Sequence, residues 1–334
     1  MTERAVLTIN DLPPAPLGKT GWPWTVQSDP LPELMPDGSE WPRISIVTPS
    51  FNQGQFIEET IRSVLLQNYP NLEYIIIDGG STDNTIDVIK KYHSCITYWV
   101  SEKDRGQANA INKGLAKCSG EIFNWINSDD YLAKNCLSTV SRGIKGFDAF
   151  AGGVLNTENE RSWLVQSHGL SPKDLILGSP KTIFHQPGVW LKTKNISQCG
   201  GIEETLNFCF DWDLIIRYLT DFSTVNYTPE TLSNFRFHKE SKTTRFCDLY
   251  GLERHVILMK LLANSKYGSL HNEIDLSMRR TKWHDSLRPI LERRESYKIS
   301  PVFSICINSL LDIEARWDRF TLGAIKRLLL HQYD

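Results

Sequence analysis

The sequence predicts an α/β domain with a mostly parallel central sheet flanked by helices. Three observations carry that reading. Short apolar runs rich in β-branched residues recur at "ISIVT", "LEYIIID", "ITYWV" and "EIFNWI". Unbroken apolar character of this kind marks a strand covered on both faces. Segments with helical spacing separate the runs, and strand–helix–strand alternation builds right-handed crossovers and hence a parallel sheet. Each run is also followed by a polar loop carrying glycine or asparagine. Ligands of such sheets bind at the carboxyl ends of the strands.

Taken in order, "ISIVT" leads through "PSFNQGQ" into "FIEETIRSVLLQN", a helix with an acidic first turn that suits its dipole. "LEYIIID" ends on Asp78, and "GGSTDNT" turns the chain into "TIDVIKKYH", with Ser81 or Asp83 as its cap. "ITYWV" gives way to "SEKDRGQ" and the helix "ANAINKGLAKC". "EIFNWI" ends at "NSDDYL". Past residue 150 the rhythm is mixed. "AFAGGVL" and "SWLVQ" read as a β-pair, "HQPGVWLK" as a strand with a Pro-Gly start and "FDWDLIIRYLTDF" as a helix. "STVNYTP" and "TLSNFRFH" read as a hairpin or two short strands.

Before Ile44, residues 11–43 are too rich in proline for regular helix or central strand; they predict an extended arm whose tryptophans pack on a surface. From Asp248 onward the pattern is helical. The expected organisation is therefore an arm over 1–43, a domain over 44–245 dividing near 132, and a helical extension over 246–334. The last segment, "DIEARWDRFTLGAIKRLLLHQY", is basic and amphipathic. It suits an anionic membrane surface, packing on its own domain, or a dimer partner.

A net charge of -2 leaves no electrostatic footprint for nucleic acid. No apolar run reaches the length of a membrane span, and "MTERAVLTIND" has no signal-peptide core. A cytoplasmic protein is expected, with peripheral contact to the membrane face as the variant that the basic C-terminal stretch allows. The seven cysteines lack a C-x-x-C pair, which argues against a disulfide framework or a structural zinc site.

The loops carry the candidate chemistry. "TPSFNQGQF" has no lysine and is not a P-loop. Asp78, at a strand end, suits a ribose hydroxyl, a base edge or the capping of its own turn. Asp104 and Arg105 precede a helix start, where backbone N–H groups suit phosphate oxygens. In "NSDD", Asp129 and Asp130 are hard oxygen ligands side by side. Adjacent carboxylates repel unless a cation sits with them, so magnesium or manganese beside a diphosphate is the natural occupant.

The ordered set "ISIVTPSFNQGQFIEETIRSVLLQNYPNLEYIIIDGGSTDNT", "DRGQANAINKG" and "NSDDYL" resembles family 2 of the nucleotide-diphosphosugar glycosyltransferases, which have the GT-A fold. The resemblance covers residues 44–240. It implies an inverting, metal-dependent transfer of a sugar from a nucleoside-diphosphate donor to a glycan or lipid-linked acceptor, as in polysaccharide or glycolipid biosynthesis. Residues 44–132 become the nucleotide-binding half and 133–245 the acceptor half. Pro49, Phe51, Asn52 and Asp78 are implied at the nucleotide. Asp104, Arg105 and Gln107 are implied near nucleotide and donor sugar. The metal motif falls on Asn127-Ser128-Asp129 followed by Asp130, with His238 completing the shell of a Mn2+ or Mg2+ ion and Arg236 and Lys242 as phosphate contacts. Asn127 stands where the family commonly has an aspartate. Asp211 takes the position of the catalytic base, with Asp213 second; Gln186 and Trp190 fall on the acceptor side, where Trp190 equally suits the core. A sugar-phosphate nucleotidyltransferase would need a basic glycine-rich loop after the first strand, absent here. A non-catalytic sugar-binding or scaffold subunit is the alternative of a different class.

Overall fold

The computed structural model describes residues 6–238, 241, 247–292, 305–306, 308–309 and 312–330; Lys242 lies outside them. The chain divides into two units, Met1–Leu175 with Pro180–Glu253, and Ile176–Ser179 with Arg254–Asp334.

The first unit holds the predicted alternation: β1 (Ile44–Ser50), α1 (Ile57–Leu65), β2 (Leu72–Asp78), α2 (Thr85–Lys91), β3 (Tyr98–Ser101), α3 (Gln107–Leu115) and β4 (Ile122–Trp125). All four strands are parallel, in the order β3-β2-β1-β4. β1 is buried along its whole length, as its unbroken apolar run requires. The register sets Ser50 beside Asp78 and Asp78 beside Ser101, so the loops that follow emerge at one edge.

The second half of the sheet is mixed. It comprises β5 (Tyr131–Leu132), β6 (Ala149–Glu158), β7 (Arg161–Gln166), β8 (Val189–Lys192) and β9 (Val225–Phe237), with α4 (Cys136–Gly143), α5 (Pro172–Leu177), α6 (Thr193–Gln198) and α7 (Phe210–Asp221) between them. β8 joins β4 to β6 antiparallel on both sides; β9 runs parallel to β6, and β7 adds to β6 as the expected β-pair. The expectation of a hairpin or two short strands over 223–238 gives way to one strand, β9. Pro229 broke the sequence pattern, but the ladder with β6 shifts register at Ala151/Gly153 and Gly153/Val154, and that irregularity accommodates a residue with no N–H.

The arm packs as expected. Trp24 and Trp41 are buried, and the Trp22 indole donates to the Leu132 carbonyl at 2.8 Å. Arg62 of α1, itself buried, donates to the carbonyls of Pro13, Pro23 and Trp24 and to the Tyr92 hydroxyl. Those bonds satisfy a guanidinium that would otherwise be costly inside. The arm thereby braces the helix and the short strand on either side of "NSDD".

In the second unit, α8 (Cys247–Ala263, which begins in the first), α9 (His271–Glu292), α10 (Ile313–Arg316) and α11 (Arg319–Leu330) form a helical body. Arg279 bonds Asp312 at 2.6 Å and the Trp283 indole donates to Thr321 at 2.9 Å. Among the described residues no helix is long and apolar enough to cross a membrane.

Candidate active site

The loops after β1 and β2 are bonded to each other. Asn52, at φ 52°, donates its N–H to Ser81 Oγ at 2.7 Å, and its side-chain oxygen accepts from the Thr82 N–H at 2.8 Å. Asparagine tolerates this left-handed backbone better than most residues. The Gln53 and Gly54 N–H groups donate to Thr85 Oγ1 and Asp83 Oδ2, both at 2.9 Å. Asp83 also accepts the Thr85 N–H at 3.0 Å and so ties the first loop to the start of α2, but the N-cap position falls on Asn84 and not on Ser81 or Asp83 as expected. Pro49 lies inside β1 opposite Ile77. Phe51 stands 59% exposed at the rim, an aromatic face open to a planar ligand.

Asp78 is buried. Its carboxylate accepts from the N–H groups of Gly80 and Ser81 at 3.1 and 2.9 Å and from the hydroxyls of Ser81 and Ser101 at 2.5 and 2.6 Å. These bonds cap its own turn, one of the alternatives open for Asp78. Asp104 accepts from the Gly106 N–H at 2.8 Å and lies against Gly79, where a Cβ would come within 2.7 Å of its Oδ2. Arg105 is exposed and pairs with Glu204 at 2.5 Å; Asn109 and Asn112 donate to the same carboxylate, both at 2.9 Å. These bonds hold the Glu204 carboxyl below its ordinary range, Asn112 first and Arg105 next.

Gln107 carries the chain of contacts to "NSDD". Its amide donates to Asn127 Oδ1 at 2.7 Å, and Asn127 Nδ2 donates to Asp130 Oδ2 at 3.3 Å. Both ends of the Asn127 amide are therefore engaged. An aspartate there would face Asp130 with a like charge and no proton to donate. Asp130 is wholly buried and accepts from the Arg236 N–H at 2.9 Å. Burial pushes its carboxyl well up, and the charge of Asp129 adds to the rise. Ser128 is buried, and its carbonyl and that of Asp130 accept from the Thr60 hydroxyl at 2.9 and 2.5 Å.

Asp129 turns the other way. Its Oδ2 lies 3.0 Å from His238 Nε2, and the His238 ring rests on Phe56 at 4.7 Å. Arg236 completes the cluster. It bonds the Asp129 carbonyl, pairs with Glu59 at 2.6 Å and lies 5.0 Å over the rings of Phe56 and Tyr131. Ligand atoms on adjacent octahedral positions, each about 2.1 Å from a divalent ion, lie about 3 Å apart. The Asp129–His238 pair fits two such positions. The expected trio is not assembled: among the described residues no group of three His, Cys, Asp or Glu side chains is placed to hold a metal, and Asp130 is engaged inside the protein. Remaining positions would fall to diphosphate oxygens and water.

Across β4, Phe210 packs on Trp125 with ring centroids 6.2 Å apart, which brings the start of α7 beside the strand that ends in "NSDD". The two acids there differ. Asp213 is buried and paired with Arg217 at 2.6 Å, a structural ion pair. Asp211 accepts the Trp212 N–H at 2.7 Å and has no cationic partner among the described residues. Burial lifts its carboxyl to about 6, with a smaller push from Glu253. Glu253 accepts the N–H groups of Asn207, Phe208 and Cys209 at 2.7, 2.8 and 2.8 Å, closing the helix start with a carboxylate.

On the acceptor side, the expectation for Gln186 is corrected and Trp190 takes its core alternative. Gln186 gives its amide to Asn124 Oδ1 at 2.9 Å and the Trp125 carbonyl at 3.0 Å, and Trp190 is wholly buried in the sheet. Neither presents a face to a sugar. Glu59, Thr60, Glu204 and Glu253 were missed. Glu59 lay in plain view within "FIEET" but reads there as a dipole partner; the others carry no local signal.

Residues 45–202 match the family model described as glycosyl transferase family 2. Over that segment, just under half of the chain, the sequence is similar to this family. An uncharacterised glycosyltransferase of Rickettsia typhi is 28% identical over 61% of this chain and 66% of its own length. A putative teichuronic acid biosynthesis glycosyltransferase of Bacillus subtilis, TuaG, is 38% identical over 29% of this chain and 39% of its own. The chain thus spans less than two thirds of these curated relatives. Among solved structures, S. aureus TarS 1–349 in complex with UDP-GlcNAc superposes with a TM-score of 0.57 at 16% identity, over 82% of this chain and 78% of that one. The mannosyltransferase PcManGT of Pyrobaculum calidifontis, in complex with GDP-Man and Mn2+, gives 0.56 at 17% identity, over 95% and 92%. The chain has the GT-A fold.

Proposed function

We propose that the protein is an inverting, metal-dependent glycosyltransferase that moves a sugar from a nucleoside diphosphate to an acceptor hydroxyl of a glycan or lipid-linked glycan. The observation that carries this reading is the Asp129–His238 pair, 3.0 Å apart beside Arg236 at the carboxyl edge of a parallel sheet. Asp129 and His238 would hold the ion, Arg236 would add fixed positive charge, and Phe51 would stack on the base. When bound, the metal neutralises charge that develops on the departing diphosphate.

Asp211 takes the acceptor proton. One carboxylate with no cationic partner among the described residues supports a single displacement, in which the acceptor oxygen attacks the anomeric carbon from the face opposite the leaving diphosphate. A carboxyl near 6 ionises at neutral pH yet stays basic enough to accept a hydroxyl proton in the transition state. The UDP-GlcNAc and GDP-Man complexes of TarS and PcManGT support a nucleotide-sugar donor, and the Mn2+ of PcManGT supports manganese.

The test is transfer from UDP- and GDP-sugars with Mn2+ present. Transfer that disappears on chelation and in Asp129→Ala is expected. Transfer that survives both Asp129→Ala and Asp211→Asn sinks the assignment of roles.

A further inference from the structure

β9 presents two chemistries on its two faces, because successive side chains alternate. Arg236 points to Glu59 and the backbone of Asp129. Phe235 and Phe237 point the other way, into a row of rings. His185 lies on Phe235 at 4.7 Å, Phe235 meets Phe237 edge-on at 4.9 Å, and Phe237 stacks under Trp163 at 5.4 Å and 26°. The row runs from half-buried to open, since Trp163 is 41% exposed on β7. It also holds unmet polar atoms. Asn156 sits between Trp163 and Phe235 in one cross-strand row, is 2% exposed, and its side-chain oxygen has no hydrogen-bond partner among the described residues; His185 Nδ1 is in the same condition. Buried polar atoms are nearly always bonded, so such a pair beside an open indole points to a ligand that brings hydroxyls.

We propose that this row is an acceptor subsite in which a pyranose ring of the acceptor glycan stacks its C–H face on the Trp163 indole while a hydroxyl donates to Asn156. The proposal deepens, and rests on, the glycosyltransferase reading. A pyranose supplies both an apolar face and O–H donors; a purely apolar partner would leave Asn156 and His185 unmet. Phe237 immediately precedes His238, so a sugar held here lies along the strand that also contributes to the donor site.

The test uses the full chain and saturation-transfer NMR with three probes: maltohexaose, cellohexaose and chitohexaose. Transfer to ring protons of at least one is expected, falling about tenfold in Trp163→Ala and largely kept in Trp163→Phe. Trp163→Ala should keep the wild-type thermal shift with UDP or GDP plus Mn2+. If Trp163→Ala melts early, Trp163→Gln, a polar residue suited to an exposed edge strand, should show the same loss. No transfer from any probe, or transfer undiminished in the folded variants, overturns the subsite. Oligosaccharide transfer without any nucleotide shift in the wild type would instead sink the glycosyltransferase reading and leave a glycan-binding face.

Discussion

The two halves of the first unit are built on different principles. Between Ile44 and Leu132, β1–β4 are parallel and the loops at their ends bond to one another in sequence: Asn52 to Ser81, Asp104 against Gly79, Gln107 to Asn127. From there to Glu253 the strands are mixed, and the site residues are held from far away. Glu253 reaches back 44 to 46 residues to the start of α7, and Arg236 reaches 177 residues to Glu59. The first half is tied together by contacts between successive loops, the second by a few long-range carboxylates, and the proposed site lies where the two meet.

Substitutions can break this contrast, and the largest effect belongs to Asp211. Asp211→Asn removes the base without altering size, so kcat should fall roughly 100- to 10,000-fold while nucleotide binding is kept. In the wild type the rate should rise with pH through about 6 and level off above it, because the carboxylate must be ionised to accept a proton. A flat profile in steady-state transfer assays would remove Asp211 from the role. Next comes Glu253→Gln. Its three N–H partners lose a charged acceptor, which should cost about 1–3 kcal/mol in chemical denaturation. The pH limb should also move down, since the Glu253 charge helps to raise Asp211. A purely structural Glu253 would leave that limb in place.

Asn127→Asp sharpens the comparison from the donor side. It sets a like charge against Asp130 and removes the amide that donates to it. Thermal stability without metal should drop by about 1–2 kcal/mol, and Mn2+ should restore more of it than in the wild type. The smallest effect is that of Phe51→Ala, which removes an exposed ring. UDP affinity should weaken about fivefold by calorimetry, with the melting temperature unchanged.

The same contrast explains what could be read from the sequence. Asp78, Asp104 and "NSDD" were visible because each lies just past an apolar run, and the order of runs fixes the edge. The sequence over β9 reads as a hairpin or two short strands because Pro229 is a local signal, whereas the β6 register shift that accommodates it is not. Gln186 suits a sugar and Trp190 a sugar or the core in sequence, but their partners, the Asn124 side chain with the Trp125 carbonyl and the sheet interior, are set by how β8 docks on β4. Glu204 and Glu253 carry no pattern of their own; only folding brings them to the amides and N–H groups they serve. Asp211 and Asp213 look alike in sequence, and only Arg217, one turn on, separates their roles.

The central claim is that Asp129 and His238 together hold a divalent ion against a donor diphosphate. The direct measurement is the thermal shift produced by UDP and by GDP, with and without Mn2+, in the wild type, Asp129→Asn and His238→Ala. The account predicts a Mn2+-dependent shift with at least one nucleotide in the wild type and its loss in both variants. A shift of equal size without Mn2+, or one that survives in Asp129→Asn, would contradict it.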